Sequence, residues 1–262
     1  MEKDKNISAY DARFAESLGG GEYDDLLLAL DYYNEFESET GEAFKQYIKE
    51  RCAGLVEVRV LEAGPGTGIT TFELVKADPR VKVVSVDNEP KMLEAVKDKF
   101  SKVPELKEKV EFVLADILTF LESCPDESFD AFASVYTLHN FTPDFRKKVI
   151  ELIAKKIKKG GIFINGDKYA RDGAEHQNDY NAEIKNYGKF EIVAEQSEKD
   201  GDVKRANHLR TIREEWINHA AEDEKNKITV VEQEEMLKEL GFEDVKWGKR
   251  FDLVITATAI KK

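Results

Sequence analysis

Three glycines at alternating positions, Gly64, Gly66 and Gly68 in E-A-G-P-G-T-G, follow the apolar run V-R-V-L and open a helical pattern. At such a strand-to-helix turn a backbone without side chains lets its N–H groups approach a nucleotide-like ligand, and Pro65 stiffens the turn. Glu62, just before the turn, would repel a pyrophosphate and suits a ligand carrying a cationic amine. Asp87 ends the next apolar run, V-V-S-V-D, where a carboxylate can accept hydrogen bonds from both hydroxyls of a ribose. Asp116 ends F-V-L-A-D, where it can meet an adenine amino group. Dinucleotide folds space their glycines as G-x-G-x-x-G and phosphate loops as G-x-x-x-x-G-K-[ST]; this chain has neither around its turn.

A second group could act on the ligand's reaction partner. Tyr136, His139 and Asn140 follow the run F-D-A-F-A-S-V and could steer or deprotonate an acceptor. Imidazole has the ordinary pKa of a general base; the alternative for His139 is a capping or structural role. Lys168 and Tyr169 follow the fifth apolar run, at the expected pocket mouth. Arg210, Arg213 and Trp216 share one helical face and could bind a carboxylate or phosphate. Their alternative is ion pairing with Glu214, Glu215 or the acidic N-terminal region. Tyr10 and Tyr23, with Tyr32 and Tyr33, are placed to close the pocket from the other side. Tyr32 and Tyr33 are not expected to face inward together on a helix.

The elements that must hold these residues alternate. Strands are expected at 58–63, 82–87, 110–115, 129–135 and 161–165, with helices at 69–77, 90–100, 118–122 and 143–159 between them. Gly160 and Gly161 are read as the stop of that last helix. This rhythm predicts parallel strands joined by right-handed crossovers, an α/β sheet covered on both faces with ligands at the strands' carboxyl ends. A helix at 230–240 and strands at 243–249 and 252–259, joined tightly, add an antiparallel hairpin and make seven strands. The residues before 55 read as helices with a break near Thr40 and Gly41. Those from 168 to 226 read as helices punctuated at Gly188 and Gly201, a lid over the sheet's edge.

Together these residues resemble the class I S-adenosylmethionine-dependent methyltransferases. The resemblance rests on E-A-G-P-G-T-G (62–68), S-V-D-N (85–88), A-D-I (115–117), F-D-A-F-A-S-V-Y-T-L-H-N (129–140), K-K-G-G (158–161) and the terminal hairpin. It implies a Rossmann-like, doubly wound, mostly parallel seven-stranded sheet with S-adenosyl-L-methionine as cofactor. It further implies that Glu62, Gly64, Pro65, Gly66 and Gly68 face the methionine moiety, and that Asp87 holds the ribose. Asn88 and Met92 would lie beside the adenosine, Asp116 and Ile117 would frame the adenine, and Ser134 with Tyr136 would floor the sulfonium site. Core packing is the alternative for Met92. The expected division is a helical cap (1–54), a cofactor domain (55–167 and 229–262) and a lid insertion (168–228).

Composition narrows the acceptor. With a net charge of −13 the chain is a poor partner for nucleic acid. No apolar run reaches bilayer length and M-E-K-D-K opens no secretory leader, so a cytoplasmic protein is expected. Cys52 and Cys124 are too few for a disulfide framework or a zinc site, and no acidic cluster follows the fourth strand, so no metal is expected. No D/N-P-P-[YF] motif for amino-group methylation is present. Methyl transfer to a small molecule in an enclosed pocket is the leading reading. The alternatives are an enzyme remodelling the cofactor, as carboxy-S-adenosylmethionine synthases do, and a binding module without turnover. The oligomeric state is left open.

Overall fold

The computed structural model describes Asp24, Leu26, Leu27 and residues 29–262. Tyr10 and Tyr23 lie outside the described residues. One seven-stranded sheet organises the chain: β1 (Val58–Ala63), β2 (Val81–Asp87), β3 (Val110–Leu114), β4 (Phe129–Val135), β5 (Ile157–Lys168), β6 (Phe242–Trp247) and β7 (Val254–Lys261). Their spatial order is β3-β2-β1-β4-β5-β7-β6, with β1 to β5 parallel and β7 antiparallel to both β5 and β6. The chain winds outward from β1 to β3 and then returns to lay β4 on β1's other side. That reversal opens a crevice at the carboxyl ends of β1 and β4, where open α/β sheets take their ligands.

The helices cover both faces. On one lie α1 (Tyr33–Arg51), α2 (Ile69–Ala77) and α3 (Pro90–Ser101), burying Phe44, Leu74, Val96 and Phe100 against β1 and β2. The short α4 (Pro104–Lys107) leads into β3. On the other face α5 (Ile117–Ser123) and α6 (Pro143–Lys156) bury Leu121, Phe145, Val149 and Ile153. β4 is buried along its whole length, as a central parallel strand covered on both faces must be. After β5 come α7 (Gly173–Tyr187), α8 (Phe190–Lys199) and α9 (Val203–Asp223), then α10 (Val230–Glu239). Residues Leu26, Leu27, Leu30 and Tyr33 pack into one cluster with Tyr187, Phe190, Leu209, Ile212 and Trp216. The segment before β1 and the insertion after β5 therefore share a core of their own.

Three expectations are corrected. α1 runs unbroken through Thr40 and Gly41. A glycine costs a helix about 1 kcal/mol, but here a Cβ would come within 3.1 Å of Glu73, so the glycine admits α2 closely. Gly160 and Gly161 do not stop α6, which ends at Lys156; they lie inside β5, beside the register shift against β4 between Phe129 and Ala131. A Cβ on Gly161 would fall 2.7 Å from the Asp130 carbonyl, so the pair serves strand packing. Tyr32 and Tyr33 are both buried, because Tyr32 precedes the helix proper and both of its sides are covered by neighbouring elements.

Candidate functional site

The turn after β1 holds Gly64, Gly66 and Gly68 at φ of 67°, 52° and 90°, the left-handed region that side chains disfavour. A Cβ on Gly64 would lie 2.3 Å from Thr137 Oγ1, whereas one on Gly66 would meet nothing within 4 Å. Gly64 is thus needed by the fold, and Gly66 borders open space. The Gly68 N–H donates to the Pro65 carbonyl at 2.8 Å and closes the turn. Glu62, buried at the end of β1, accepts from Thr71 Oγ1 at 2.7 Å and Ser85 Oγ at 2.6 Å through Oε2. Its other oxygen, Oε1, is buried with no hydrogen-bond partner. Burial pushes this carboxyl up to about 7 against the pull of its two hydroxyl donors, and the neighbouring Glu37 and Asp87 add to the rise.

Asp87 closes β2 and accepts from the Glu89 N–H at 2.9 Å; burial raises it to about 6. Asn88 beside it is exposed, and Met92 is buried on α3. Asp116 caps α5, accepting from the Thr119 N–H at 3.0 Å, while Ile117 joins the core. Ser134 donates to the Ala63 carbonyl at 3.2 Å and ties β4 to β1. An unsatisfied buried carboxylate oxygen, open space at Gly66 and an acid at the end of β2 together fit a nucleoside bearing a cationic amine.

Past β4 the chain makes a tight turn at Leu138–Asn140. There His139 is held by Asp167, a buried acid near the end of β5. Asp167 Oδ1 lies 2.5 Å from His139 Nδ1, and Oδ2 accepts the His139 backbone N–H at 3.0 Å. Burial pushes the Asp167 carboxyl up, but the His139 ring, the Lys168 amide and Arg146 outweigh it and hold the group below its ordinary value. Arg146, itself buried, donates to the carbonyls of Leu138, His139, Phe141 and Asn226 and so fixes the turn that carries His139. Asn140 reaches the Tyr136 carbonyl at 3.4 Å and keeps a buried, unpartnered Oδ1. Tyr136 has a φ of 53°, stacks on Tyr33, and carries a buried hydroxyl with no hydrogen-bond partner at ordinary distance.

A narrow cleft, nearly filled by its own walls, separates this turn from the insertion; His139, Lys168, Glu183, Tyr187, Trp216 and Lys227 are among those walls. Lys168 Nζ donates to Tyr187 Oη at 2.6 Å and pairs with Glu183 at 3.4 Å. Tyr32 and Tyr187 both donate to the same Glu183 carboxylate. Tyr169 lies away from the cleft, buried against Trp247 with its hydroxyl on Asn165. Arg210 and Arg213 also lie elsewhere: both bind Glu191 of α8, and Arg210 binds Glu198 as well. Their partners are neither Glu214 nor Glu215. Trp216, on the same helix, packs on Tyr187 and Phe190.

Glu37, Arg146, Asp167 and Glu183 escaped the sequence reading. Asp167 in I-N-G-D-K ends a strand as Asp87 does, so the same rule could have found it; nothing local marks the other three. Among the described residues, no group of acids, histidines and cysteines could hold a metal ion, and no helix is long and apolar enough to cross a membrane.

Residues 60–161 match the family described as a methyltransferase domain. The chain is 23% identical to the carboxy-S-adenosyl-L-methionine synthase of Nautilia profundicola over 247 residues, 91% of this chain and 90% of that protein. It is 41% identical to the magnesium-protoporphyrin O-methyltransferase of Rhodobacter capsulatus over 63 residues, 24% of this chain and about a quarter (26%) of that protein. The fold superposes on magnesium protoporphyrin IX methyltransferase from Synechocystis PCC 6803, solved with bound S-adenosylmethionine, at a TM-score of 0.61 and 12% identity over 99% of this chain and 100% of that one. Fold, glycine turn and domain match define an S-adenosylmethionine-dependent methyltransferase. The chain thus carries a methyltransferase domain on the fold of the class I enzymes, with S-adenosyl-L-methionine as its cofactor.

Proposed function

We propose that this enzyme methylates a small-molecule acceptor in the cleft between the end of β5 and helices α7 to α9, with His139 as the base that takes the acceptor's proton. The observation that carries the reading is the His139–Asp167 pair at 2.5 Å, with His139 on the cleft wall. When bound, the cofactor supplies an electrophilic methyl group on its sulfonium. Glu62 would hold the amino end, Gly66 the backbone approach, and Asp87 the ribose. An ionised Asp167 keeps the proton on His139 Nδ1, which presents Nε2 as the acceptor of a proton. The acceleration then comes chiefly from orientation and exclusion of water. Residues 168–228 act as the lid that selects the acceptor, and residues 1–54 as the cap over the cofactor. Two free cysteines, Cys52 and Cys124, suit a reducing cytoplasm.

A second reading, remodelling of the cofactor, draws support from the similarity to a carboxy-S-adenosyl-L-methionine synthase along nearly the whole chain. Against it stand the lid arginines, both occupied by glutamates. Mass spectrometry of the nucleoside copurified with the protein separates the two. S-adenosylmethionine or S-adenosylhomocysteine is expected; a nucleoside carrying an added carboxyl group overturns the methyl-donor reading.

A further inference from the structure

Glu37 stands on α1, in the segment outside the glycine turn and its acids, yet its carboxyl is buried to 5% exposure. It accepts from Thr70 Oγ1 at 2.9 Å. Thr71, the next residue, donates to Glu62 at 2.7 Å. Consecutive threonines in the first turn of α2 thus hold two buried carboxyls, one from β1 and one from the helix laid over it. The groups that act on Glu37 are the hydroxyls of Thr70 and Tyr33 and the acid Glu73 of α2. Those that act on Glu62 are Thr71, Ser85, Glu37 and Asp87. On the facing loop, Tyr136 is electrostatically coupled to Glu37. Every charged group in this set is acidic. Lys45, on α1, pairs with Glu42 and reaches Glu73 at 3.9 Å, not Glu37. Among the described residues no cation pairs with either carboxyl, and Glu62 Oε1 has no partner at all.

Buried carboxyls without a counter-charge favour the neutral form, since an uncompensated buried charge is costly. S-adenosylmethionine brings an ammonium and a sulfonium, which with its own carboxylate leave it net positive. We propose that Glu37 is a second carboxylate of the cofactor site, and that docking of the cofactor's cationic groups drives protons off the Glu37–Glu62 pair. This rests on the cofactor assignment and is independent of the acceptor.

The sign follows from the burial. Both carboxyls are pushed up to about 7, so the pair still carries protons at neutral pH in the ligand-free protein. A cationic ligand favours their ionised forms, so binding releases protons and tightens as pH rises through 7. The two interact, so the protons leave in steps that belong to the pair.

Titration calorimetry of the full chain with S-adenosylmethionine, in buffers of different ionisation enthalpy between pH 6 and 8, reads the proton count directly. At pH 7 the pair should release about one proton per cofactor, and Glu37→Gln should release about half a proton less than the wild type. From pH 8 to pH 6 the wild-type affinity should fall roughly 10-fold more than that of Glu37→Gln. Asp87 and the ligand's own amino group contribute equally to both proteins and cancel in the difference. Glu37→Asp, which keeps the charge, should restore the missing proton and serves as the second variant. Equal proton counts and equal pH slopes for wild type and Glu37→Gln overturn the inference while leaving the cofactor assignment intact. Failure of the wild type to bind the cofactor overturns the assignment itself.

Discussion

Replacing Asp167 by asparagine tests whether the His139 turn is held as described. The carboxylate accepts from His139 Nδ1 at 2.5 Å, the His139 N–H at 3.0 Å and the Lys168 N–H at 2.9 Å. An asparagine offers one acceptor oxygen and one amide donor. With the amide toward Oδ2's former place, it opposes the His139 backbone N–H and leaves a buried donor unsatisfied. With the amide toward Nδ1, the imidazole must shift its proton to Nε2 and can no longer act as a base there. A hydrogen bond to a charged group contributes about 1.5–3 kcal/mol and an unsatisfied buried donor costs about 1–3 kcal/mol. A loss of roughly 3 kcal/mol is therefore expected, lowering Tm by about 6–12 °C for a chain of this size. Asp167 is held below its ordinary value, so its stabilisation is complete above the unfolded value of about 3.9 and fades as pH falls through the lower folded one. Thermal unfolding at neutral and acidic pH, with the ring tautomer read by nitrogen NMR, measures both effects. A variant as stable as the wild type, with the proton still on Nδ1, refutes the reasoning.

Two glycines of one turn should fail differently. Gly64→Ala, with its Cβ 2.3 Å from Thr137 Oγ1, should lower Tm sharply; Gly66→Ala meets no atom, costs only about 1–2 kcal/mol of left-handed strain, and should instead lose most cofactor affinity. Melting curves and calorimetry on both variants check the contrast. Arg210→Gln and Arg213→Gln should leave cofactor affinity and the identity of the copurified nucleoside unchanged, because both side chains are taken by Glu191. A change in either readout, by calorimetry or mass spectrometry, would return the arginines to the site.

The sheet was legible because its signals are local. Runs such as V-V-S-V-D and F-D-A-F-A-S-V, each followed by a helical period, mark buried parallel strands whatever the rest of the chain does. The turn at Gly64 to Gly68 was legible for the same reason. Gly160 and Gly161 misled because two glycines after a helical pattern look alike whether they end a helix or relieve a crowded strand; only the Asp130 carbonyl across the sheet decides. Glu37 and Glu183 could not be found locally. Each is one acid among many in a helix, and its meaning comes from Thr70 or from Tyr32, Tyr187 and Lys168, brought close by tertiary packing. The arginines of α9 likewise share a face as expected, but their partner Glu191 lies on a separate helix.

The central claim is that the crevice beside β1 takes a sulfonium nucleoside, and calorimetry with competing ligands measures it most directly. S-adenosylmethionine and S-adenosylhomocysteine should bind with Kd values on the order of micromolar, Asp87→Ala should weaken both at least about 10-fold by removing charged hydrogen bonds, and NAD should not bind comparably. Binding of NAD without binding of the sulfonium nucleoside would contradict the account.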